Sequence, residues 1–93
     1  MAHTVLVVEE NADLRYVFCT ALVFAGYQVI EAADAREALR VLESQTPGLI
    51  VLDLGLPFVA VQEIAAQTLT RGVALLAVTA SRRPHDLQSL RAH

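Results

Sequence analysis

Acidic residues follow two apolar segments of the sequence, at the point where each segment ends. Glu9 and Glu10 come directly after "TVLVV", and Asp53 comes directly after "LIVL". If these segments are neighbouring strands of a parallel sheet, their backbones lie about 4.8 Å apart. Two carboxylates about 4 Å apart repel each other by about 4 kcal/mol at an effective dielectric constant of roughly 20. Such a cluster therefore keeps one carboxyl group protonated at neutral pH or holds a cation.

Carboxylate oxygens with room for water suit Mg²⁺, and a carboxylate beside Mg²⁺ with a hydroxyl nearby can accept a phosphoryl group. Thr79 follows a third apolar segment, "VALLAV", and supplies such a hydroxyl. Each residue also has a purely structural interpretation. Asp53 is then a turn aspartate, Glu9 and Glu10 are acids near a helix N-terminus, and Thr79 is a β-branched strand residue.

Four apolar segments rich in β-branched residues recur at an even spacing and predict four strands, which are Thr4–Val8, Tyr27–Ile30, Leu49–Leu52 and Val73–Val78. Segments of helical periodicity lie between them, and this alternation predicts an α/β fold with a parallel sheet. Near-continuous apolar runs are typical of parallel strands, which are buried on both faces. Pro84 predicts the start of a fourth helix, running to Ala92. On this spacing a fifth strand would start shortly after residue 93.

Helix faces and helix ends can also be read from the sequence. The predicted buried positions of the first helix are Leu14, Val17, Phe18, Ala21, Leu22 and Ala25, and Gly26 suits the position just after its end. Asp34 and Glu37 predict a capping box at the second helix, whose buried face holds Ala35, Ala38, Leu39 and Leu42. The third helix has its apolar positions at Val61, Ile64, Ala65 and Leu69.

The composition predicts one folded domain over residues 1–93, since 55% of the residues are hydrophobic and 18% are charged. A net charge of -3 argues against nucleic-acid binding. The sequence shows no signal peptide and no long apolar span, which predicts a cytoplasmic protein without a membrane partner. The three histidines are scattered, so a zinc site is not expected. No Gly-x-Gly-x-x-Gly motif or P-loop supports nucleotide binding, and Cys19 is predicted to be a small core residue.

Four segments, in their order and spacing, resemble the receiver domain of two-component response regulators. These are "VLVVEENADLR", "AGYQVIEAADAREAL", "PGLIVLDLGLP" and "VALLAVTA". The resemblance implies a flavodoxin-like, doubly wound parallel sheet with strand order 2-1-3-4. It also implies that the fold is incomplete at its C-terminal end, because the family's fifth strand and fifth helix are absent from the sequence.

The resemblance assigns roles to individual residues. Asp53 would be the phosphorylated aspartate, and Glu9 and Glu10 would hold Mg²⁺ together with the backbone carbonyl of Gly55. Thr79 would hydrogen-bond the phosphoryl group. A histidine kinase or a phosphotransfer protein would be the donor. Because no output domain is expected in residues 1–93, the signal would pass to a separate protein partner, and the domain would catalyse at most its own phosphorylation and dephosphorylation.

Three features depart from the family pattern. The family's lysine, which pairs with the aspartyl phosphate, has no counterpart, since all seven basic residues are arginines. Glu10 stands where aspartate is common and adds a methylene group, although Mg²⁺ tolerates little misplacement of its ligands. The residues after Pro57 read Phe58-Val59-Ala60-Val61 and lack a polar residue that could cap the third helix.

Two functions from different classes fit the sequence. The first is a single-domain receiver that accepts a phosphoryl group on Asp53. The second is a degenerate pseudo-receiver that acts in protein interaction or dimerisation without phosphorylation. A small flavodoxin-like ligand-binding protein has no phosphate loop to support it. In the order 2-1-3-4 the segment "VALLAV" would form an unprotected sheet edge, which predicts a homodimer or a larger assembly.

Overall fold

The computed structural model describes residues 3–53 and 55–78. Thr79 and the predicted fourth helix lie outside these residues. The described part alternates strands and helices in the predicted order: β1 (Thr4–Val8), α1 (Ala12–Phe24), β2 (Gln28–Ala32), α2 (Ala35–Ser44), β3 (Leu49–Asp53), α3 (Phe58–Arg71) and β4 (Ala74–Val78). No helix among these elements is long and apolar enough to cross a membrane.

The four strands form one parallel sheet in the order β2-β1-β3-β4, which confirms the predicted topology. Val8, the last residue of β1, lies opposite Ala32 of β2 on one side and Leu52 of β3 on the other. The carboxyl ends of three strands therefore meet at the same edge of the sheet. In open α/β sheets this is the edge where ligands bind.

The helices cover the two faces of the sheet unequally. Helices α2 and α3 pack on one face, where the buried apolar cluster comprises Leu6, Val8, Ala32, Ala38, Leu42, Ile50, Leu52, Leu56 and Ile64. Helix α1 packs on the other face, against a smaller cluster formed by Val5, Val7, Cys19 and Val51. The prediction that Cys19 is a core residue is confirmed. The larger cluster holds the middle of the sheet and so fixes the strand ends that carry the polar residues.

The first two helices begin at side chains that accept hydrogen bonds from the backbone. The Asn11 side chain accepts from the N–H groups of Asp13 and Leu14 and so caps α1. Asp34 accepts from the N–H of Glu37 at 2.9 Å, as predicted for α2. The Glu37 carboxylate accepts in return from the N–H of Ala33, at 2.6 Å. In a regular capping box the donor would be the N–H of the capping residue itself, Asp34.

The other helix ends follow their local chemistry. Gly26 directly follows Ala25, the C-cap of α1, and has a φ of 100°, a conformation that glycine adopts without steric cost. No side chain caps the start of α3 at Pro57, which confirms the expected loss of a polar cap. Gly72 ends α3 in the left-handed conformation.

Four predicted core positions are wrong. Val17, Ala21 and Ala25 of the first helix face are exposed, Val17 to 57%, and Leu69 on α3 is 82% exposed, although all four were expected on buried faces. Helix α3 instead buries Ile64 and Thr68, which are four residues apart and share a face. The Thr68 hydroxyl donates to the carbonyl of Ala65 at 2.8 Å, so its polar atom is satisfied within the helix and the side chain can be buried.

Strand ends also differ slightly from the prediction. Strand β2 runs from Gln28 to Ala32 rather than from Tyr27 to Ile30, and β4 begins at Ala74 rather than at Val73. Strand β3 extends to Asp53, so the candidate site residue is the last residue of a central strand and not a loop residue. Among the described residues β4 pairs only with β3, and its Leu76 side chain is 50% exposed.

Candidate functional site

Glu9 is a buried acid at the carboxyl end of β1, only 2% exposed. Its N–H donates to the carbonyl of Ala32 at 3.1 Å, which continues the ladder between β1 and β2. One carboxylate oxygen, Oε2, accepts from the N–H of Asn11 at 2.9 Å. The other oxygen, Oε1, is fully buried and has no hydrogen-bond partner within residues 3–53 and 55–78. A buried acceptor without a partner is costly, so Oε1 is suited to bind a cation or a hydrogen-bond donor.

Asp53 is the second buried acid of this edge, 7% exposed. Its Oδ1 accepts from the N–H of Gly55 at 2.9 Å, so the turn after β3 holds the carboxylate. A Cβ atom at Gly55 would lie 3.2 Å from Asp53 Oδ2, which shows how closely this turn approaches the carboxylate. Because Val8 pairs with Leu52, the residues that follow them, Glu9 and Asp53, are neighbours across the two strands.

Burial is the main reason that the pKa of Glu9 is raised above the usual value for a glutamate, because removal from water disfavours the charged form. The N–H of Asn11 stabilises the carboxylate and partly offsets this rise in pKa. Asp53 raises the pKa of Glu9 further, as a hydrogen-bond partner and through its charge. A hydrogen bond between two carboxyl groups needs one proton. With both groups ionised, Oε1 has no partner among the described residues.

Glu10 does not join Glu9 and Asp53. Its side chain is exposed and lines a cavity of about 360 Å³ whose other walls include Asp34, Arg36 and Pro57. Within residues 3–53 and 55–78 no group of three acidic, histidine or cysteine side chains is gathered closely enough to hold a metal ion. The role of Glu10 as a metal ligand stays a prediction, as does that of the Gly55 carbonyl. Thr79 lies outside the described residues.

The buried pair nevertheless fits Mg²⁺. This ion is commonly bound through one or two carboxylates and keeps several of its water molecules. Glu9 and Asp53 provide hard oxygen ligands on adjacent strands, and Glu9 Oε1 is a buried acceptor without a donor in the part of the chain that the structure describes. A cation would compensate the two buried negative charges and give Oε1 a partner, so the residues present are suited to this metal.

Sequence reasoning missed Arg15, which lies in the first turns of α1 beside the site. Its Nη1 donates to the carbonyl of Glu9 at 2.8 Å, and its Nε forms an ion pair with Glu31 Oε1 at 3.3 Å. Glu31 lies near the carboxyl end of β2, the strand on the other side of β1. A basic residue one turn into a helix that starts at the site, with an acid near the end of an adjacent strand, was the available signal.

Comparison with known proteins identifies the class. A family model described as the response regulator receiver domain matches residues 5–92. The chain belongs to this family, whose members are signalling domains of two-component systems.

Among curated proteins, the chain is similar to the phosphate regulon transcriptional regulatory protein PhoB of Escherichia coli, with 32% identity over 90 residues. That alignment covers 92% of the chain and 39% of PhoB. It is also similar to a probable transcriptional regulator, ycf27, of Porphyridium aerugineum, with 43% identity over 53 residues, covering 57% of the chain and 22% of the relative. The matched region is thus well under half the length of these two relatives.

Solved structures agree with this assignment. The chemotaxis response regulator CheY4 of Vibrio cholerae superimposes with a TM-score of 0.77 at 27% identity, covering 99% of this chain and 80% of that one. The response regulator TrrA of Thermotoga maritima, solved in complex with Mg(2+)-BeF, has a TM-score of 0.76 at 26% identity, covering 97% of this chain and 80% of that one. The receiver fold predicted from the sequence is confirmed.

Proposed function

We propose that this chain is a receiver module of a phosphorelay and accepts a phosphoryl group on Asp53. The observation that carries the proposal is the buried pair of Glu9 and Asp53 at the carboxyl edge of the sheet, in which Glu9 Oε1 has no partner among the described residues. Glu9, Glu10 and Asp53 would hold Mg²⁺ together with the carbonyl of Gly55, and Thr79 would hydrogen-bond the phosphoryl group. When bound, Mg²⁺ supplies positive charge that offsets the negative charge of the transferring group.

The proposed transfer forms one P–O bond and breaks one P–N bond. A carboxylate oxygen of Asp53 attacks the phosphorus of a phosphohistidine on a histidine kinase or phosphotransfer protein. The new P–O bond forms as the P–N bond breaks, and the imidazole leaves with the electron pair of that bond and takes a proton. The Gly55 N–H holds the attacking carboxylate in place through Asp53 Oδ1, and Oδ2 is the oxygen proposed to attack. The signal then passes to a protein partner.

The test uses a small phosphoryl donor and a mass measurement. The protein is incubated with Mg²⁺ and acetyl phosphate, and its intact mass is followed with time. We expect a phosphoryl adduct that Asp53→Asn abolishes. Asp13→Asn is the matched control, because Asp13 is an exposed aspartate in the first turn of α1 and should leave the adduct unchanged. An adduct that persists in Asp53→Asn would exclude Asp53 as the acceptor.

A second function, a pseudo-receiver that binds partners without phosphorylation, is favoured by one specific observation. Glu10 points into a cavity with the start of α2 and does not cluster with the two buried acids. This function predicts no phosphoryl adduct in the experiment above and no measurable Mg²⁺ affinity. The first function predicts an adduct and Mg²⁺ binding, so the two measurements on one preparation distinguish the functions.

We further propose self-association through β4. Its unpaired side in the described sheet offers backbone donors and acceptors to a second copy, and Leu75 and Leu76 are 38% and 50% exposed. Sedimentation at micromolar concentration should show a dimer or a larger species. Leu76→Lys should return it to a monomer, because a charge on a strand edge opposes pairing. Leu69→Lys, at an 82% exposed position of α3, should not. A cytoplasmic location stays a prediction.

A further inference from the structure

Arg15 connects three elements around the candidate site. Its backbone lies in the first turns of α1, where its N–H donates to the carbonyl of Asn11 at 2.9 Å. Its guanidinium reaches the Glu9 carbonyl at the end of β1, at 2.8 Å, and Glu31 on β2, at 3.3 Å. The planar fork of a guanidinium can serve two acceptors at once, which a lysine ammonium on a flexible stem does less well.

The ion pair with Glu31 is not the main effect of Arg15. The Glu31 side chain is 58% exposed, whereas that of Arg15 is 20% exposed. Ion pairs with one partner in water contribute about 1 kcal/mol or less to stability. The contact that is protected from water is the hydrogen bond to the Glu9 carbonyl, which is part-buried. The exposed ion pair with Glu31 is therefore secondary, and the hydrogen bond to the Glu9 carbonyl is the contact that bears on the site.

Together these contacts fix almost every polar group of Glu9. The N–H donates to Ala32, the carbonyl accepts from Arg15, and Oε2 accepts from the N–H of Asn11. Only Oε1 remains without a partner among the described residues. The backbone of Glu9 is thus held on both sides, and Oε1 is the carboxylate oxygen that can bind a further group. Asp53 is the neighbouring acid across β1 and β3.

We propose that Arg15 is a positioning residue for the cation site. By binding the Glu9 carbonyl, it holds the end of β1 so that Glu9 Oε1 stays directed at the space beside Asp53. This inference rests on the proposed function and deepens it, since it names a residue that touches neither the metal nor the phosphoryl group. Residues that orient metal ligands in this way typically change metal affinity by about 10- to 100-fold when they are replaced.

Because Arg15 is positively charged, the direction in which Mg²⁺ affinity changes on its replacement tests the inference. If Arg15 acted only through its positive charge, its removal would relieve repulsion and strengthen Mg²⁺ binding. If it acts by positioning Glu9, its removal weakens Mg²⁺ binding despite the loss of that repulsion. The two explanations predict opposite changes for the same substitution. Glu31→Gln is the matched control, because it removes the exposed ion pair and keeps the contact between Arg15 and Glu9.

The experiment measures Mg²⁺ affinity by isothermal titration calorimetry at neutral pH, with thermal melting in the absence of metal as the test of folding. We expect Arg15→Gln to bind Mg²⁺ about tenfold more weakly than the unchanged chain. Glu31→Gln should stay within about twofold, as for an exposed ion pair. Arg15→Lys should be intermediate, since its ammonium can still donate to the Glu9 carbonyl. The rate of adduct formation with acetyl phosphate should fall in the same order.

Equal or tighter Mg²⁺ binding by a folded Arg15→Gln would overturn the positioning role and leave the proposed function intact. Should Arg15→Gln not fold, Arg15→Lys decides: weaker binding supports the role, and binding equal to that of the unchanged chain overturns it. If the unchanged chain neither binds Mg²⁺ nor forms an adduct, the proposed function fails, and the positioning role fails with it. These results are distinct because only in the last one does the unchanged chain itself fail to bind Mg²⁺.

Discussion

Glu9 and Asp53 are neighbours across β1 and β3, one position beyond the paired residues Val8 and Leu52, and both are buried. Burial, and to a smaller extent the neighbouring Asp53, raises the pKa of Glu9, so the two acids cannot both be ionised without cost. Stability and cation binding therefore oppose each other at this site. The buried pair of acids that destabilises the metal-free protein also provides the oxygen ligands that suit Mg²⁺.

Replacement of Glu9 by glutamine should stabilise the metal-free protein at neutral pH. Glutamine carries no charge, and its amide can donate to Asp53 while its oxygen keeps the hydrogen bond from Asn11. An unsatisfied buried acceptor costs about 1–3 kcal/mol. A gain of about 1 kcal/mol corresponds to a rise in Tm of about 4–8 °C in a domain of this size. Differential scanning calorimetry without metal measures it. The same variant should lose the stabilisation that Mg²⁺ gives to the unchanged chain.

The pH dependence of this gain has a defined sign. Because the pKa of Glu9 is raised in the folded state, the folded protein binds the proton more tightly than the unfolded chain does. The contribution of protonated Glu9 is fully present below the unfolded pKa of about 4.3 and is lost as pH rises through the folded pKa. The Tm difference between Glu9→Gln and the unchanged chain should thus be small in acid and grow towards neutral pH. A difference that shrinks with rising pH would contradict the assignment.

Glu10→Gln should separate metal binding from stability. Glu10 is exposed, so its replacement should change the metal-free free energy of unfolding by no more than about 0.5 kcal/mol. As a proposed ligand, it should weaken Mg²⁺ binding, whereas Glu9→Gln should weaken binding and raise Tm. Calorimetric titration and melting of the two variants, side by side, provide the comparison. Unchanged Mg²⁺ affinity in Glu10→Gln would remove Glu10 from the ligand set.

Asn11→Ala should destabilise α1 without removing the contact between the loop and Glu9. The Asn11 side chain caps the helix by accepting from two N–H groups, and its loss should cost about 1 kcal/mol. The backbone N–H of residue 11, which donates to Glu9 Oε2, remains in the variant. Urea unfolding should show the loss, while Mg²⁺ affinity should change little. A large fall in affinity would mean that the cap itself orients Glu9.

Ile64 and Leu69 on α3 provide a matched pair for the core. Ile64 is fully buried between α3 and the sheet, and Leu69 is 82% exposed. Ile64→Ala should cost about 2–5 kcal/mol, and Leu69→Ala should stay within about 0.5 kcal/mol. Urea unfolding monitored by circular dichroism tests both. Similar losses in the two variants would show that α3 is turned differently about its axis.

Cys19 should react slowly with iodoacetamide in the folded protein. Burial raises the pKa of its thiol, and the charge of Glu31 raises it further, so little thiolate is present at neutral pH. We expect alkylation to be slower than in urea by more than about tenfold, since reaction requires local opening. Mass spectrometry over time gives both rates. Fast alkylation without urea would show that the contact between α1 and the sheet opens readily.

The sequence determined the order of the strands and helices and the position of both buried acids. Apolar runs such as Leu49–Leu52 and the helical spacing between them are local patterns, and each one specifies its own element. Helix ends at Gly26 and Asp34 were also readable, because a cap depends on residues within one turn. Glu9 and Asp53 were found because they directly follow strands that had already been predicted.

The tertiary structure decided how these local elements meet. Periodicity placed Leu69 inside, but in the structure Thr68 is buried instead, and its burial is tolerated because its hydroxyl donates to a carbonyl of its own helix. Glu9 and Glu10 are adjacent in the sequence, yet Glu9 is buried and Glu10 is exposed at a cavity beside the start of α2, a difference that their spacing does not record. Arg15 could not be assigned from its spacing, since its two partners lie on different strands. Contacts between distant segments follow from packing, and no local pattern records them.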